Sequence, residues 1–444
     1  MRRSWRKLGA WLFLLALIAL SGNVAAQSDA IRVGVLVQGA DGLPQVFCVS
    51  LPTGANGAEA LRATGLEVVS EGGALGTAIC AIEGQGCSPP EESCFCQCEG
   101  GAGCAYWAYF HLGAGGRWQY SAVGAGGYTL HDGDVEGWLW LDKTRTDAPP
   151  LPKVSFADVC ENRFPRTVRD GLGRAVTLSA PPQRIASVTL ASDEILLDLV
   201  GAERLLGVTY LARDPAISNI ADRLADVPRA DLSGNPELLI SLDADLVVMA
   251  TYSNPAALDQ MLAADVPVFV LADFGSLDDI RANIRLLGRA TGTEIRAEAM
   301  IAQMDARIAA VGARVAPCER LRTLYYERGG MTYGTGSTVD EMMQRAGVEN
   351  VAAGLGAYPL IDAEFVLSAD PDVVLLGGWG TGTTDPVAWF TADPVFGALR
   401  AVRQGRVYAV SQAHITAVSQ YAALGVEEIA RSVYPQAFAE GCAP

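Results

Sequence analysis

The chain has 444 residues, of which 50% are hydrophobic and 19% are charged. It can therefore bury two or three packed cores, which argues against a disordered chain. Its 50 acidic and 33 basic residues give a formal net charge of −17. A field of this sign repels nucleic acid and anionic lipid and favours partners with basic surfaces.

Residues 1–26 are typical of a secretory signal peptide. A cationic start, "MRRSWRK", precedes the apolar run "LGAWLFLLALIALSG", and Val24-Ala25-Ala26 offers a small-residue cleavage site. The run is short for a membrane anchor, and no cysteine follows it for lipid attachment. We expect a soluble exported protein, periplasmic or extracellular. Cleavage would remove four basic residues and no acids, changing the charge from −17 to −21.

The ten cysteines of an exported chain indicate disulfides. The cluster "CSPPEESCFCQCEGGAGC" could instead hold a metal through thiolates, but it lacks the paired C-x2-C spacing of zinc sites. Seven cysteines lie early in the chain, and this odd number predicts that one of them pairs with Cys160. Cys318 and Cys442 then form a pair, and the connectivity among the early seven stays open.

Residues 27–143 are predicted to form a β-rich, cysteine-rich domain. Strands are indicated for "IRVGVLVQ", "QVFCVSLP", "YWAYFHL", "RWQYSAV" and "VEGWLWLD", with one short helix in "GANGAEALRATG". Residues 144–165 contain three prolines in "KTRTDAPPLPKVSF" and show no periodicity, so they are predicted to be a linker.

From Arg166 onward, apolar strands alternate with helices, which predicts α/β lobes with parallel sheets over 166–292 and 317–444. The stretch "NPELLISLDADLVVMAT" (235–251) is repeated as "DAEFVLSADPDVVLLGG" (362–378). "SDEILLDLVGAERL" (192–205) is likewise repeated as "VDEMMQRAGVENV" (339–351). The matched order predicts two similar lobes. Between them, segment 293–316 is predicted to bridge the lobes, and its alanine-rich residues 294–315 predict a helix about 33 Å long, which permits modest lobe motion.

Residues Arg166 to Gln436 resemble the helical-backbone periplasmic substrate-binding proteins of ABC importers, which serve cobalamin, ferric siderophores and haem. The resemblance rests on "RTVRDGLGRAVTLSAPPQRIASV", "LLGVTY", the two repeated stretches, the bridging helix and "AGVENVAAG". It is strongest to the cobalamin-binding members. It implies a monomer without catalytic residues or a resident cofactor, a small-molecule ligand in an interlobe cleft, and a permease with its ATPase as partner and sole membrane contact.

The aromatic strands of the first domain, "CAYWAYFHLGAGGRWQYSAVGAGGYTLHDGDVEGWLWLD", resemble the C-terminal domain of transcobalamin-type carriers. The resemblance implies that two cobalamin-associated modules lie in one chain. The domain would then cover the ligand, bind it separately, or attach the protein to a surface.

Two glutamates occupy matching positions in the repeat. In the cobalamin-binding members, residues at the positions of Glu237 and Glu364 meet arginines of the permease, so the resemblance implies a docking role for both. Independently, Asn235 and Asp362 are predicted N-caps, which places each glutamate in a first helical turn, where it contributes about 0.3–1 kcal/mol. Capping alone is predicted for Glu194 and Glu341.

The resemblance also implies which residues line the cleft. Several are aromatic, as stacking on a macrocycle requires. Asp231 departs from the family pattern, in which an aromatic is expected. For each aromatic residue, packing in a core is the alternative. The candidates are Tyr210, Asp231, Tyr252, Met331, Tyr333, Tyr358, Trp379 and His414.

The residue types of the chain limit the classes of ligand and of function that are compatible with the sequence. The chain has three histidines, His111, His131 and His414, and only the last lies in the lobes, which argues against a bare zinc or manganese site. The candidate cleft residues include no basic side chain, which favours a corrinoid over an anionic ferric siderophore, while haem bound through one tyrosine or histidine stays open. No G-x-S-x-G, Walker or dinucleotide motif supports an enzyme. A surface sensor or adhesin on the same fold is the non-transport alternative.

Overall fold

The structure is a computed structural model that describes residues 30–40, 42–73, 76–98, 103–144, 150–161, 163–378 and 385–442. The predicted signal peptide lies outside these residues. Within them, no helix is both long and apolar enough to cross a membrane. The fold class is confirmed: a mainly-β, disulfide-rich domain precedes two α/β lobes with parallel sheets, and a long helix joins the lobes.

The β-domain contains two sheets. In the larger, of order β2-β1-β8-β6-β7, β1 and β8 run parallel and the other pairs run antiparallel; the smaller sheet has the order β3-β4-β5. The core of the β-domain contains the buried residues Trp107, Trp138 and Trp140. The elements are β1 (Ala30–Gln38), β2 (Gln45–Pro52), α1 (Gly57–Ala63), β3 (Val68–Gly73), β4 (Gly76–Ile82), β5 (Gln85–Gly86), β6 (Ala105–Gly113), β7 (Arg117–Tyr120) and β8 (Val135–Asp142).

All ten cysteines form disulfides, which confirms the prediction made from export. Cys160 pairs with Cys48, and Cys318 pairs with Cys442. Because no thiol is free, the cysteine cluster is not a thiolate metal site. The remaining bonds are Cys80–Cys94, Cys87–Cys96 and Cys98–Cys104.

The segment predicted as a linker is packed against the β-domain. It contains α2 (Phe156–Cys160), which contacts β1 and β2. Leu151 and Val154 are buried although the proline-rich sequence shows no periodicity. Val154 shares a small core with Leu36, and Ile295 of the long interlobe helix packs against that core. The β-domain is therefore held on the lobes by side-chain packing as well as by the chain.

Removal of the Cys48–Cys160 bond should loosen this attachment. The bond closes a sequence separation of 112 residues. Cys48→Ser with Cys160→Ser should lower the stability of the β-domain by about 2–5 kcal/mol, measured by calorimetric unfolding and limited proteolysis. The matched control, Cys318→Ser with Cys442→Ser, should affect the C-terminal lobe instead. Equal effects of both pairs on proteolysis of the β-domain would contradict the prediction.

Lobe 1 starts with a β-hairpin and continues as a parallel α/β sheet. The sheet order is β13-β12-β11-β14-β15, and every pair is parallel. The elements are β9 (Arg166–Arg169), β10 (Ala175–Leu178), β11 (Ile185–Ser187), α3 (Leu190–Val200), β12 (Leu205–Thr209), β13 (Ala230–Leu232), α4 (Pro236–Ser241), β14 (Leu246–Ala250), α5 (Pro255–Ala263) and β15 (Val268–Leu271).

Two helices lead to lobe 2, whose parallel sheet has the order β17-β16-β18-β19. The second of them, α7, is the interlobe helix, and its buried face is part of the core shared with both lobes. The elements are α6 (Leu277–Thr291), α7 (Glu294–Val315), β16 (Arg322–Glu327), α8 (Thr338–Arg345), β17 (Glu349–Asn350), α9 (Ala363–Ala369), β18 (Val373–Gly377), α10 (Pro386–Thr391), α11 (Arg400–Arg403), β19 (Val407–Ala409), α12 (Gln412–Ile415), α13 (Ala422–Val433) and α14 (Pro435–Ala439).

Candidate functional site

The carboxyl ends of the parallel strands of the two lobes face each other. Segments that follow lobe 1 strands contact segments that follow lobe 2 strands: Thr338 Oγ1 donates to the Phe274 carbonyl at 2.6 Å, and Asn219 Nδ2 donates to the Ala413 carbonyl at 2.7 Å. Ligands of open α/β sheets bind beyond the carboxyl ends of the strands. The space between the two edges is therefore the candidate binding cleft.

Two glutamates that match in the repeat fasten the lobes together at this cleft. Glu194, buried in lobe 1, accepts hydrogen bonds from the Asn219 amide at 2.9 Å and from Ser419 of lobe 2. Glu341 of lobe 2 accepts from the Leu277 amide at 2.8 Å. The prediction of a helix-start position is wrong for Glu194, because Thr189 caps α3 and places Glu194 beyond the first turn. Glu341 does lie in the first turn of α8, which Ser337 caps, and its bond to lobe 1 is an additional role.

The aspartates that precede these glutamates are also buried. Asp193 accepts from the Thr209 amide at 3.1 Å and from Thr209 Oγ1 at 2.6 Å. Loss of hydration raises the pKa of Asp193 to about 7, and the hydrogen bonds only partly offset this effect. Its counterpart Asp340 accepts from Asn350 Nδ2 at 2.7 Å. Each aspartate thus anchors a strand that runs beside its own helix.

The raised pKa of Asp193 predicts a pH dependence of stability. An aspartate whose folded pKa exceeds its unfolded value contributes stability that is complete below about pH 4 and is lost as the pH rises towards 7. Asp193→Asn should remove this dependence, so that the change in unfolding free energy between pH 4 and pH 7 becomes smaller by an amount on the order of a few kcal/mol. Urea unfolding across that range measures it. Asp222→Asn, an exposed change in the same lobe, is the control, and parallel pH profiles for Asp193→Asn and the wild type would refute the assignment.

Exposed tyrosines form the lobe 1 side of the cleft. Tyr210 follows β12 and Tyr252 follows β14, and their side chains are 61% and 65% exposed. The ring of Tyr252 packs on Phe274 with centroids 5.3 Å apart. Core packing, the alternative for these two residues, is excluded by their exposure.

Three predicted residues of lobe 2 converge on the opposite side. Met331 forms an isolated bridge with Leu360. The Tyr333 ring contacts the Tyr358 ring edge-on with centroids 5.9 Å apart. Tyr358 is 61% exposed, whereas Tyr333 is partly buried. Lobe 2 therefore also presents an aromatic residue to solvent at the end of its sheet.

The structure does not place the other three predicted ligand-binding residues, Asp231, His414 and Trp379, with these aromatic residues. Asp231 is exposed within edge strand β13, where Arg229 engages both of its carboxylate oxygens at 3.0 Å, and it lines a separate cavity of about 720 Å³. The His414 ring is held at Nδ1 by Glu428 on α13, 2.5 Å away. Trp379 lies outside the described residues. The structure thus brings Tyr252 and Phe274 together on one side, and Met331, Tyr333 and Tyr358 on the other.

Sequence reasoning missed a polar cluster at the lobe 2 edge. Glu327, the last residue of β16, accepts from Tyr325 at 3.0 Å and from Tyr333 at 3.2 Å. Gln412 donates to the same carboxylate oxygen at 3.4 Å and accepts from the Gly378 amide at 3.0 Å. The signal that could have revealed it is an acidic residue at the carboxyl end of a parallel strand, directly before the turn "RGG".

The predicted docking glutamates are exposed at two equivalent helix starts. Asn235 caps α4 by accepting from the Leu238 amide at 2.9 Å, and Asp362 caps α9 by accepting from the Phe365 amide at 2.8 Å. The predicted caps are confirmed. Glu237 and Glu364 each lie at the second position of these helices, where the helix dipole favours an acid.

A large cavity lies away from the cleft. It measures about 1720 Å³ and lies between the β-domain and α7, with Phe47, Trp118 and Ile295 in its wall. The carboxyl end of α3 also borders this cavity, whereas the amino end of α3 lies at the cleft. The 11 residues of α3, at 1.5 Å per residue, separate the two ends by about 16 Å. The β-domain is thus docked behind the lobes, so the arrangement in which it covers a cleft ligand does not occur in this structure.

Comparisons with known proteins agree with this architecture. The sequence profile described as periplasmic binding protein matches residues 185–413, which is just over half of the chain, and that of the SCO2322-like domain matches residues 100–177. A cobalamin-binding protein of Halobacterium salinarum is 28% identical over 236 residues, which cover 51% of this chain and 63% of that protein. The match thus spans less than two thirds of that relative.

Two further proteins are similar over a larger share of their length. The uncharacterized ABC transporter substrate-binding lipoprotein YvrC of Bacillus subtilis is 26% identical over 66% of this chain and 93% of that protein. The molybdate-bound structure of the periplasmic binding protein MolA of Haemophilus influenzae is 21% identical, with a TM-score of 0.53 over 62% of this chain and 92% of that one. At this identity, MolA supports the fold alone.

Proposed function

The chain belongs to the periplasmic binding protein family, and we propose that it captures a corrinoid of the cobalamin type in the interlobe cleft and delivers it to an ABC importer. The observation that carries the ligand class is that both lobes expose tyrosines in segments that follow their strands, with Tyr210 and Tyr252 on one lobe and Tyr358 on the other. Such rings stack on the faces of a large planar molecule.

The charges at the cleft support a ligand without strong negative charge. The described candidates that converge there are aromatic residues and a methionine, and the polar group beneath the lobe 2 tyrosines is the carboxylate of Glu327. A ferric siderophore, a haem or molybdate would bring anionic groups towards that carboxylate, which is unfavourable at short range. The similarity to a protein named for cobalamin binding points in the same direction.

Delivery to a permease is the second part of the proposal. Glu237 and Glu364 are exposed at the starts of equivalent helices, one on each lobe. Both remain exposed with the β-domain packed against α7. A permease with arginines at matching positions would hold the protein through charge-assisted hydrogen bonds, with its ATPase driving transport. Such a role places the protein outside the cytoplasmic membrane and requires no catalytic residue.

Calorimetry tests the ligand class directly. The purified chain lacking residues 1–26 is titrated with cyanocobalamin, cobinamide, haem, a ferric siderophore and molybdate. We expect saturable binding of micromolar or better affinity for the corrinoids alone. Tyr252→Ala and Tyr358→Ala should each weaken that binding by roughly tenfold or more. Tyr120→Ala is the matched control, because Tyr120 is 57% exposed on the β-domain. Tight binding of haem or a siderophore without corrinoid binding would replace the proposed ligand.

A further inference from the structure

Glu327 is a buried acid whose side chain is positioned by three neighbours. Oε1 accepts hydrogen bonds from the Tyr325 hydroxyl, the Tyr333 hydroxyl and Gln412 Nε2. Because Gln412 is itself held by the Gly378 amide, the carboxylate is fixed between two neighbouring parallel strands, β16 and β18. One oxygen is thus fully used in orienting the group.

The second carboxylate oxygen has no such partner. Among the described residues, no donor reaches Glu327 Oε2, and this atom is not one of the enclosed polar atoms that lack a partner. The residue as a whole is 9% exposed, and Oε2 contributes to this small exposure. It can accept a hydrogen bond from a molecule bound in the cleft.

No described cation neutralises Glu327. Its neighbour Arg328 turns to the other side of the sheet, with its guanidinium 5.1 Å from the centre of the Trp389 ring. Trp389 packs with Tyr326 in the outer core of lobe 2, whereas Tyr325 belongs to the core shared with lobe 1. Since successive strand residues point to opposite faces, Glu327 lies on the same side as Tyr325, away from Arg328.

We infer that Glu327 determines the ligand class of the cleft by accepting a hydrogen bond from a neutral, carboxamide-bearing ligand and by repelling anions. This inference rests on the proposed function, in which the cleft is the binding site. A largely desolvated carboxylate is costly unless a donor completes its hydrogen bonding, and an N–H group of a primary amide supplies that donor. A carboxylate, catecholate or oxyanion at the same place would meet a like charge instead.

The test compares Glu327→Gln with the wild type by calorimetry on cyanocobalamin, a neutral ligand with peripheral carboxamides, and on haem and molybdate as anions. The glutamine keeps an oxygen for the tyrosine hydroxyls, and an unchanged melting curve checks the fold. We expect cyanocobalamin affinity to fall by roughly tenfold or more, because a charge-assisted hydrogen bond is lost. Affinity for haem or molybdate should stay undetectable or increase. Glu319→Gln, an exposed change in the same lobe, should alter none of these values.

The outcomes separate this inference from the proposed function. If the wild type binds cyanocobalamin and Glu327→Gln binds it equally well, the inference fails and the proposed function stands. If the wild type binds an anion instead, the proposed function fails; tighter anion binding by Glu327→Gln then supports the inference, and unchanged binding overturns it. A uniform loss of affinity for all ligands in Glu327→Gln indicates a purely structural role and also overturns the inference. A wild type that binds none of the three ligands counts against both the inference and the proposed function.

Discussion

Reversing the charges of Glu237 and Glu364 together, as Glu237→Arg with Glu364→Arg, should abolish ligand transport while leaving ligand affinity unchanged. Both residues are exposed, and within the described residues neither has a salt-bridge partner in the chain. Two reversed charges would meet permease arginines directly, and like-charge contacts at an interface cost several kcal/mol. Uptake in cells lacking the wild-type protein and pull-down with the detergent-solubilised permease measure the two effects.

The matched control is Asp259→Arg with Glu319→Arg. These acids are also exposed, one on each lobe, and the double variant has the same net charge as the docking variant. Transport should persist in the control, because the total charge does not determine docking. The reversal also costs each helix about 0.3–1 kcal/mol through its dipole, so folding must be verified by calorimetry. Full transport by the docking variant would contradict the proposed contact.

The lobes were predictable because the apolar runs and the helix-capping residues of the sequence indicate the same strands and helices. Apolar runs such as "DLVVMAT" and "DVVLLGG" became the central strands β14 and β18, and the caps Asn235 and Asp362 start α4 and α9 as predicted. Short elements were missed where local signals are weak. Strand β13 has only three residues, and the hairpin β3–β4 runs through a glycine- and alanine-rich stretch whose pattern does not distinguish a strand from a turn.

The site was only partly predictable, because its geometry depends on contacts between lobes. Tyr252 and Tyr358 were predicted and are exposed, but nothing local distinguishes Asp231, which Arg229 engages. Glu194 and Glu341 have the sequence context of helix starts, so capping was the natural interpretation. Their partners in the other lobe, Ser419 and the Leu277 amide, are 225 and 64 residues away in sequence. Only the packed structure reveals such long-range partners.

The position of the β-domain was likewise beyond local sequence patterns. Gln303 Nε2 of α7 donates to the Gly42 carbonyl at 3.2 Å, and Ile295 packs against the small core that contains Leu36 and Val154. These contacts hold the domain against the interlobe helix. With the domain in this position, Glu237 and Glu364 remain exposed.

Glu194→Ala should produce the largest loss of stability among substitutions at the cleft. Truncation leaves the Asn219 amide, Asn219 Nδ2 and the Ser419 hydroxyl without their shared acceptor in a buried place. Unsatisfied buried donors cost about 1–3 kcal/mol each, and water entering the new space recovers part of this, so we expect a loss of about 3 kcal/mol in urea unfolding at neutral pH.

Glu341→Ala provides the comparison within the repeat. Its side chain is 23% exposed and its cross-lobe bond involves one backbone amide, so a loss of about 1 kcal/mol is expected. Glu319→Ala, exposed and without a hydrogen-bond partner among the described residues, should be neutral. Because Glu194 joins α3 to the segment that precedes α13, its removal should also weaken ligand binding at the cleft. Equal stability of the Glu194→Ala and Glu319→Ala variants would show that Glu194 does not help to hold the lobes together.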